Sequence, residues 1–426
     1  MKIKKVCVSA PSKIILHGEH AAVYGKLVLA CSLNKYTYIK IVRNNEDIIN
    51  LQFKKLGFSY AFSLEKLSKQ NFTYDDESFN YEFDKKKFQL FNGNNSQNIK
   101  EFPPLIMLSI RAFVYLYYFI VIKSDTNFQC ENQRNTSGFI VSIESQIPIG
   151  MGLGSSASYC VSLATSFLMV IGKIPYKSND FNKTHLELIN KWSFLAETII
   201  HGKPSGIDNS VCTYGGIVSL NNGSLKKLKF SDILLQDKLK VICIDSKVNR
   251  STKDQIKIVS QLKSKFPLVV EPLLDAIEQI GKEFINTLSL IDAEDDIENR
   301  QLLEIPTSNF DFDNLSSLMN VNHDILNALG VGHPELEKIR DLVINFSSNY
   351  VFNNQKLSRY ILKPKMTGAG GGGYVIALLP ILTDATEDLE YEGMLLELQK
   401  ELKNLGYESF ITGICGTGVK SYIDEE

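Results

Sequence analysis

The feature that most constrains this chain is a change of texture between Phe139 and Ile171. A β-rich run, Phe139 to Ile143, leads into the glycine-spaced loop Gly150-Met151-Gly152-Leu153-Gly154-Ser155-Ser156. Ala157 to Ile171 follows, with the small and apolar residues of a helix packed on a sheet. In the order strand, loop, helix, the loop amides and the helix N-terminus converge, and glycines let an anion approach the main chain. The Ser156 hydroxyl is also within reach of a metal ion bound there. A P-loop is excluded, because no Lys-Ser or Lys-Thr follows the glycines. Gly152 to Ala157 fits the dinucleotide pattern G-x-G-x-x-A, but no Asp or Glu lies between Ala157 and Gly172 to hold a ribose. By itself the loop leaves an anion cradle and a plain tight turn both open.

At 426 residues the chain exceeds what one core usually serves, so two or more domains are expected. Charge is balanced: 46 basic minus 48 acidic residues gives −2, with no basic excess for nucleic acid or an anionic membrane surface. Seven scattered cysteines without a CxxC pair fit reduced core thiols and a reducing compartment. Neither end reads as a targeting signal. The apolar stretch Leu105 to Ile122 approaches membrane-span length. Its central Arg111 would cost roughly 2.5–3.5 kcal/mol in a bilayer, so we expect a buried core helix and no membrane insertion.

Residues 6–42 read as strand, turn and strand; helices are expected over about 184–201, 253–265, 267–285, 315–329, 334–346 and 387–405. Val241 to Ile244 and Tyr374 to Leu379 read as strands, and 68–100, 123–137 and 289–315 as loops or insertions with partial disorder. A boundary near residue 230 gives units 1–230 and 231–426, the second a layered α+β domain.

Two further clusters carry chemistry. Thr367-Gly368-Ala369-Gly370-Gly371-Gly372-Gly373 leads into a strand, the wrong context for a dinucleotide motif. Its glycines are entropically costly, which points to close approach of a ligand or another loop. Ala10-Pro11-Ser12-Lys13 precedes His17-Gly18-Glu19-His20, which lacks the HExxH spacing of a zinc helix. Lys13 alone is either a phosphate partner or a solvated amine.

Together, the clusters resemble the GHMP kinases in order and spacing, and within that superfamily the mevalonate kinase family. The resemblance spans nearly the whole chain. It rests on Ala10 to His20, Ile147 to Ala157, Glu187 to Phe194, His201-Gly202-Lys203-Pro204-Ser205-Gly206-Ile207-Asp208-Asn209, and Asn327-Ala328-Leu329-Gly330-Val331-Gly332-His333. It implies a two-domain α+β fold: an N-terminal domain with a left-handed βαβ unit, a C-terminal ferredoxin-like domain, and the active site in the cleft between them. It implies transfer of the γ-phosphate of ATP to the 5-hydroxyl of mevalonate, with Mg²⁺ held by Ser156 and Glu197. Asp208 takes the place of the catalytic base, with Lys13 beside it to stabilise negative charge. ATP would be held by Lys13, Ser145, the loop Gly150 to Ser156, and Gly370 and Gly371. Glu19, His20, Asp208 and Thr252 would face the hydroxy acid. A homodimer in the cytoplasm is also implied, with the peroxisome left open.

One segment departs from the family: Phe53-Lys54-Lys55-Leu56-Gly57 stands where an asparagine commonly serves the nucleotide. The rivals are another GHMP kinase of the phosphomevalonate kinase type and a non-catalytic ligand-binding relative. The first calls for extra Lys or Arg in the pocket, and none is evident in sequence beside Glu19-His20 or Asp208. The second need not keep Lys13, Ser156, Glu197 and Asp208 together, and all four are present.

Overall fold

The structure is a computed structural model that describes residues 5–44, 46–68, 104–123, 138–176, 181–228, 238–294, 312–353, 357 and 360–422. Two sheets organise them. The spine of the first is β2 (Val28–Arg43), where Thr37, Ile39 and Ile41 are buried and alternate with half-buried neighbours, the period of a strand with one covered face. Along one edge β2 pairs antiparallel with β1 (Lys5–His17); along the other it pairs with β5 (Phe139–Ser145) and β6 (Ile217–Asn221). Short strands complete the sheet. β3 (Ile48–Phe53) runs parallel to β5 and turns through Lys54–Leu56 into β4 (Phe58–Ser63), while β7 (Ser224–Lys227) hairpins onto β6.

The register of β1 against β2 shifts at Pro11/Ser12 and again at Ile15/His17. Proline has no N–H for the ladder, and such bulges re-aim the side chains that follow. Lys13 and Glu19 lie just past these two irregularities.

Between β4 and β5 come α1 (Leu64–Ser68) and α2 (Pro104–Leu116), the latter continuing π-helically over Tyr117–Ile122. This is the apolar stretch. Over Pro104–Ile122 it is long and apolar enough to cross a bilayer, yet two-thirds of it is buried inside the protein. Phe113 stacks on Phe62 and Tyr117 and meets Phe167 edge-on, within a core that also takes in α3 (Ser155–Val170) and α4 (Lys183–His201). The expectation of a core helix therefore holds. α5 (Ile207–Tyr214) leads into β6.

The second sheet is antiparallel, in the order β11 (Glu408–Gly413), β8 (Leu239–Asp245), β10 (Tyr374–Pro380), β9 (Lys365–Met366). Its helices are α6 (Thr252–Lys265), α7 (Pro267–Glu294), α8 (Phe312–Ala328), α9 (Pro334–Asn353) and α10 (Ala385–Asn404). β10 is buried along its whole length, as its uninterrupted apolar sequence requires. One core joins this sheet to Ile14, Leu16 and Leu29 of the first sheet. The chain's end also crosses back: Cys415 N–H donates to Ser32 O at 2.8 Å, and β12 (Lys420–Ser421) pairs with β1. Most of 68–100, 123–137 and 289–315 lies outside the described residues, apart from the end of α7 and the start of α8.

Candidate active site

Alternate glycines of the loop, Gly150, Gly152 and Gly154, take φ of +78°, +83° and +76°, a left-handed backbone that side chains resist. At two of them space is equally decisive. A Cβ on Gly152 would lie 1.7 Å from Arg250 Nη2, and one on Gly154 2.7 Å from Lys13 Cγ. Between them, Leu153 is buried and its carbonyl accepts from Lys13 N–H at 3.0 Å, so the loop is tied to β1. Gly154 caps α3, whose first-turn amides lack intrahelical partners and are free to bind an anion.

Lys13 is buried, and its Nζ lies 3.0 Å from Asp208 Oδ1, a carboxylate 37% exposed. The aspartate is held by the first turn of α5, which follows Gly206 at φ +84°. Asn190 of α4 fixes α5 by accepting from Asn209 Nδ2 at 2.6 Å and Ser210 Oγ at 3.3 Å. These bonds join the helix that carries Asp208 to the helix that carries Glu197. Glu197 is buried on α4, and its Oε1 has no hydrogen-bond partner. Burial, then the nearby Asp208 charge, push its carboxyl up to about 8, against Ser156, Cys160 and Lys13. An orphaned buried carboxylate oxygen beside a serine hydroxyl fits a hard divalent cation. His201, one turn on, bonds Ser156 Oγ at 2.9 Å and lies 3.7 Å from Glu197 Oε2. Sequence reasoning gave His201 no role, although its i, i+4 spacing from Glu197 was a legible signal.

On the other side of Lys13, Glu19 is buried and ion-paired through Oε1 with Lys365, while Oε2 accepts from Asn322 Nδ2 at 3.2 Å. Burial lowers the Lys365 ammonium from its ordinary value, and Glu19 acts against that. His20 sits at φ +62°, rare for a residue with a Cβ, and its Nε2 hydrogen-bonds Ala369 O at 2.8 Å. Burial lowers its imidazole too, with Ala369 and Glu19 raising it. Arg250 fills the space between the two glycine loops, donating to Thr367 O at 2.8 Å. Its pKa is lowered by burial, with the charges of Glu19 and Asp208 opposing. Arg250 and Lys365 are cations that the sequence did not place in this pocket; their partners lie more than a hundred residues away.

Ser145 bonds Thr37 Oγ1 at 3.0 Å and lines a cavity of about 440 Å³ that opens beside Ser155 and Ser156. Phe53, Ile143, Ile147 and Tyr159 make it apolar, and Lys55 and Leu56 of the departing segment also line it. A flat base next to the phosphate loop fits such a slot. What Gly370 and Gly371 approach is protein: a Cβ on the first would lie 2.3 Å from Val331 O, and on the second 2.2 Å from Gln255 Nε2. Val331 follows α8 and Gln255 lies on α6, so the run packs closely against both. Thr252 is exposed at the start of α6, and among the described residues no hydrogen bond joins it to Lys13 or Asp208.

Residues 120–216, which hold the loop, Glu197 and Asp208, match the GHMP kinases N terminal domain. Over 422 residues the chain is 32% identical to the mevalonate kinase of Bos taurus, covering 97% of this chain and 93% of that protein. It is 33% identical to the mevalonate kinase of Homo sapiens over similar shares. The chain belongs to the mevalonate kinase family of GHMP kinases. Solved structures agree on the fold of that family: the Methanococcus jannaschii mevalonate kinase superposes with a TM-score of 0.64 at 22% identity, covering 96% of this chain and 98% of that one. The L. major mevalonate kinase in complex with R-mevalonate gives 0.60 at 20% identity. The two-part α+β fold expected from sequence is thus that of the mevalonate kinase family.

Proposed function

We propose that the protein transfers the γ-phosphate of ATP to the 5-hydroxyl of mevalonate, giving 5-phosphomevalonate and ADP. The observation that carries this reading is the Lys13–Asp208 pair, 3.0 Å apart and tied by Lys13 N–H to the glycine loop, in a member of this family. The apolar cavity beside Ser155 takes the adenine, and the α3 amides take the phosphates. Ser156 and Glu197 would hold Mg²⁺, which when bound neutralises charge on the transferring phosphoryl group. Asp208, half open to the cleft, accepts the hydroxyl proton as the oxygen attacks, and the Lys13 ammonium stabilises charge on the equatorial oxygens. Arg250 supplies the positive charge that one substrate carboxylate needs. Lys365 is paired with Glu19 and so is not available to a phosphorylated substrate, which favours mevalonate over phosphomevalonate. The same reading extends to a homodimer in the cytoplasm.

Asp208→Asn keeps the shape and removes the proton acceptor. We expect kcat to fall about 10²–10⁴-fold, with the Kd for Mg·ATP within a few-fold of the parent. A variant that keeps its kcat would remove Asp208 from the chemistry.

A further inference from the structure

Three alternate residues of the segment leading from β9 into the second glycine loop grip β1 and the turn after it. Lys365 Nζ meets the Glu19 carboxylate. Thr367 Oγ1 donates to Ile15 O at 2.9 Å and accepts from Ile15 N–H at 3.2 Å, and Ala369 O bonds His20 Nε2 at 2.8 Å. Lys365 and Thr367 are alternate residues of the run that leaves β9; Gly368, at φ +81°, then turns the chain so that Ala369 O meets His20, and the three contacts together form one strap. β9 is fixed from behind: Met366 N–H donates to Nδ1 of buried His323, which leaves Nε2–H of that ring to donate to Glu337 at 3.0 Å.

Within this strap Lys365 and Glu19 are both fully buried, where breaking an ion pair leaves an uncompensated charge. Glu19 also adjoins His20 and Arg250, the groups that would receive an acidic substrate. An unneutralised carboxylate there would repel the substrate's own.

We infer that Lys365 is a positioning residue of the substrate pocket: it cancels the charge of Glu19 and holds His20 in register, and it touches neither nucleotide nor reacting atoms. This rests on the proposed mevalonate reaction. The role is electrostatic, so it has a sign that simple packing lacks. Lys365→Met leaves the pocket one negative charge in excess and should raise KM for mevalonate about tenfold or more, with kcat and the Kd for Mg·ATP within about threefold. Glu19→Gln/Lys365→Met restores neutrality and should recover much of that KM. It also removes the lone buried charge, so it remains informative if the single variant does not fold, by comparison with Glu19→Gln, whose unpaired ammonium attracts the substrate and gives the lower KM. Equal KM values across these variants, or a loss confined to melting temperature, would overturn the assignment. Absence of mevalonate turnover in the parent protein would instead sink the reaction on which it rests.

Discussion

Gly150 and Gly152 share a left-handed backbone but differ in surroundings, and that difference can be measured. Nothing lies within 4 Å of where a Cβ on Gly150 would stand, whereas on Gly152 it would meet the Arg250 guanidinium. Both substitutions to alanine carry a strain of about 1–2 kcal/mol. Only Gly152→Ala should also displace Arg250 and lower kcat/KM for the hydroxy acid, which paired denaturation and steady-state measurements would resolve; equal kinetic losses would contradict the packing. At this scale the sequence carried a good part of the site. Lys13, Ser156 and Asp208 stand in contiguous motifs, Glu197 lies on the helix between two of them, and folding brings Lys13 to Asp208. Arg250 and Lys365 were not legible as site residues, because what makes them so is burial against glycines or a carboxylate distant in the chain, whereas His201 left a local signal four residues from Glu197.

Among elements, α2 is the one whose sequence permits two environments. Burial of Phe113 among Phe62, Tyr117 and Phe167 makes Phe113→Ala a test of the core assignment. We expect a cost of about 3–5 kcal/mol in guanidinium unfolding; near-neutral behaviour would contradict burial. The long helices were readable from their periodicity; the start of α4 at Asn182, whose side chain accepts from His185 N–H, is a cap signal that was not read. The short strands β3, β4, β7 and β11 were not read from sequence. For β3 and β4 the reason is length, since six residues give little periodicity. For β7 a signal existed: Asn222-Gly223, both at positive φ, is the hairpin dipeptide.

For the whole molecule, the junction of the two sheets is also where buried imidazoles gather. Burial, with Lys365 adding to it, holds His17 well below its ordinary 6.5, and burial likewise lowers His20 and His323. Below that pH the unfolded chain takes up protons that the folded one refuses, so stability is fully present above about 6.5 and is lost as pH falls. Glu197, held up to about 8, acts in the opposite sense over this range, so in a Glu197→Gln background the urea midpoint should drop between pH 7.5 and pH 5.5, and an unchanged or higher midpoint there would contradict the burial of these rings. The same junction carries the catalytic claim, since β1 supplies Lys13, α5 supplies Asp208 and the second sheet supplies Lys365. The most direct test is coupled ADP release by the purified protein with Mg·ATP against mevalonate, phosphomevalonate, homoserine and galactose. The account predicts turnover with mevalonate and a phosphomonoester on its C5 oxygen; no turnover of mevalonate, or preferential turnover of phosphomevalonate, would contradict it.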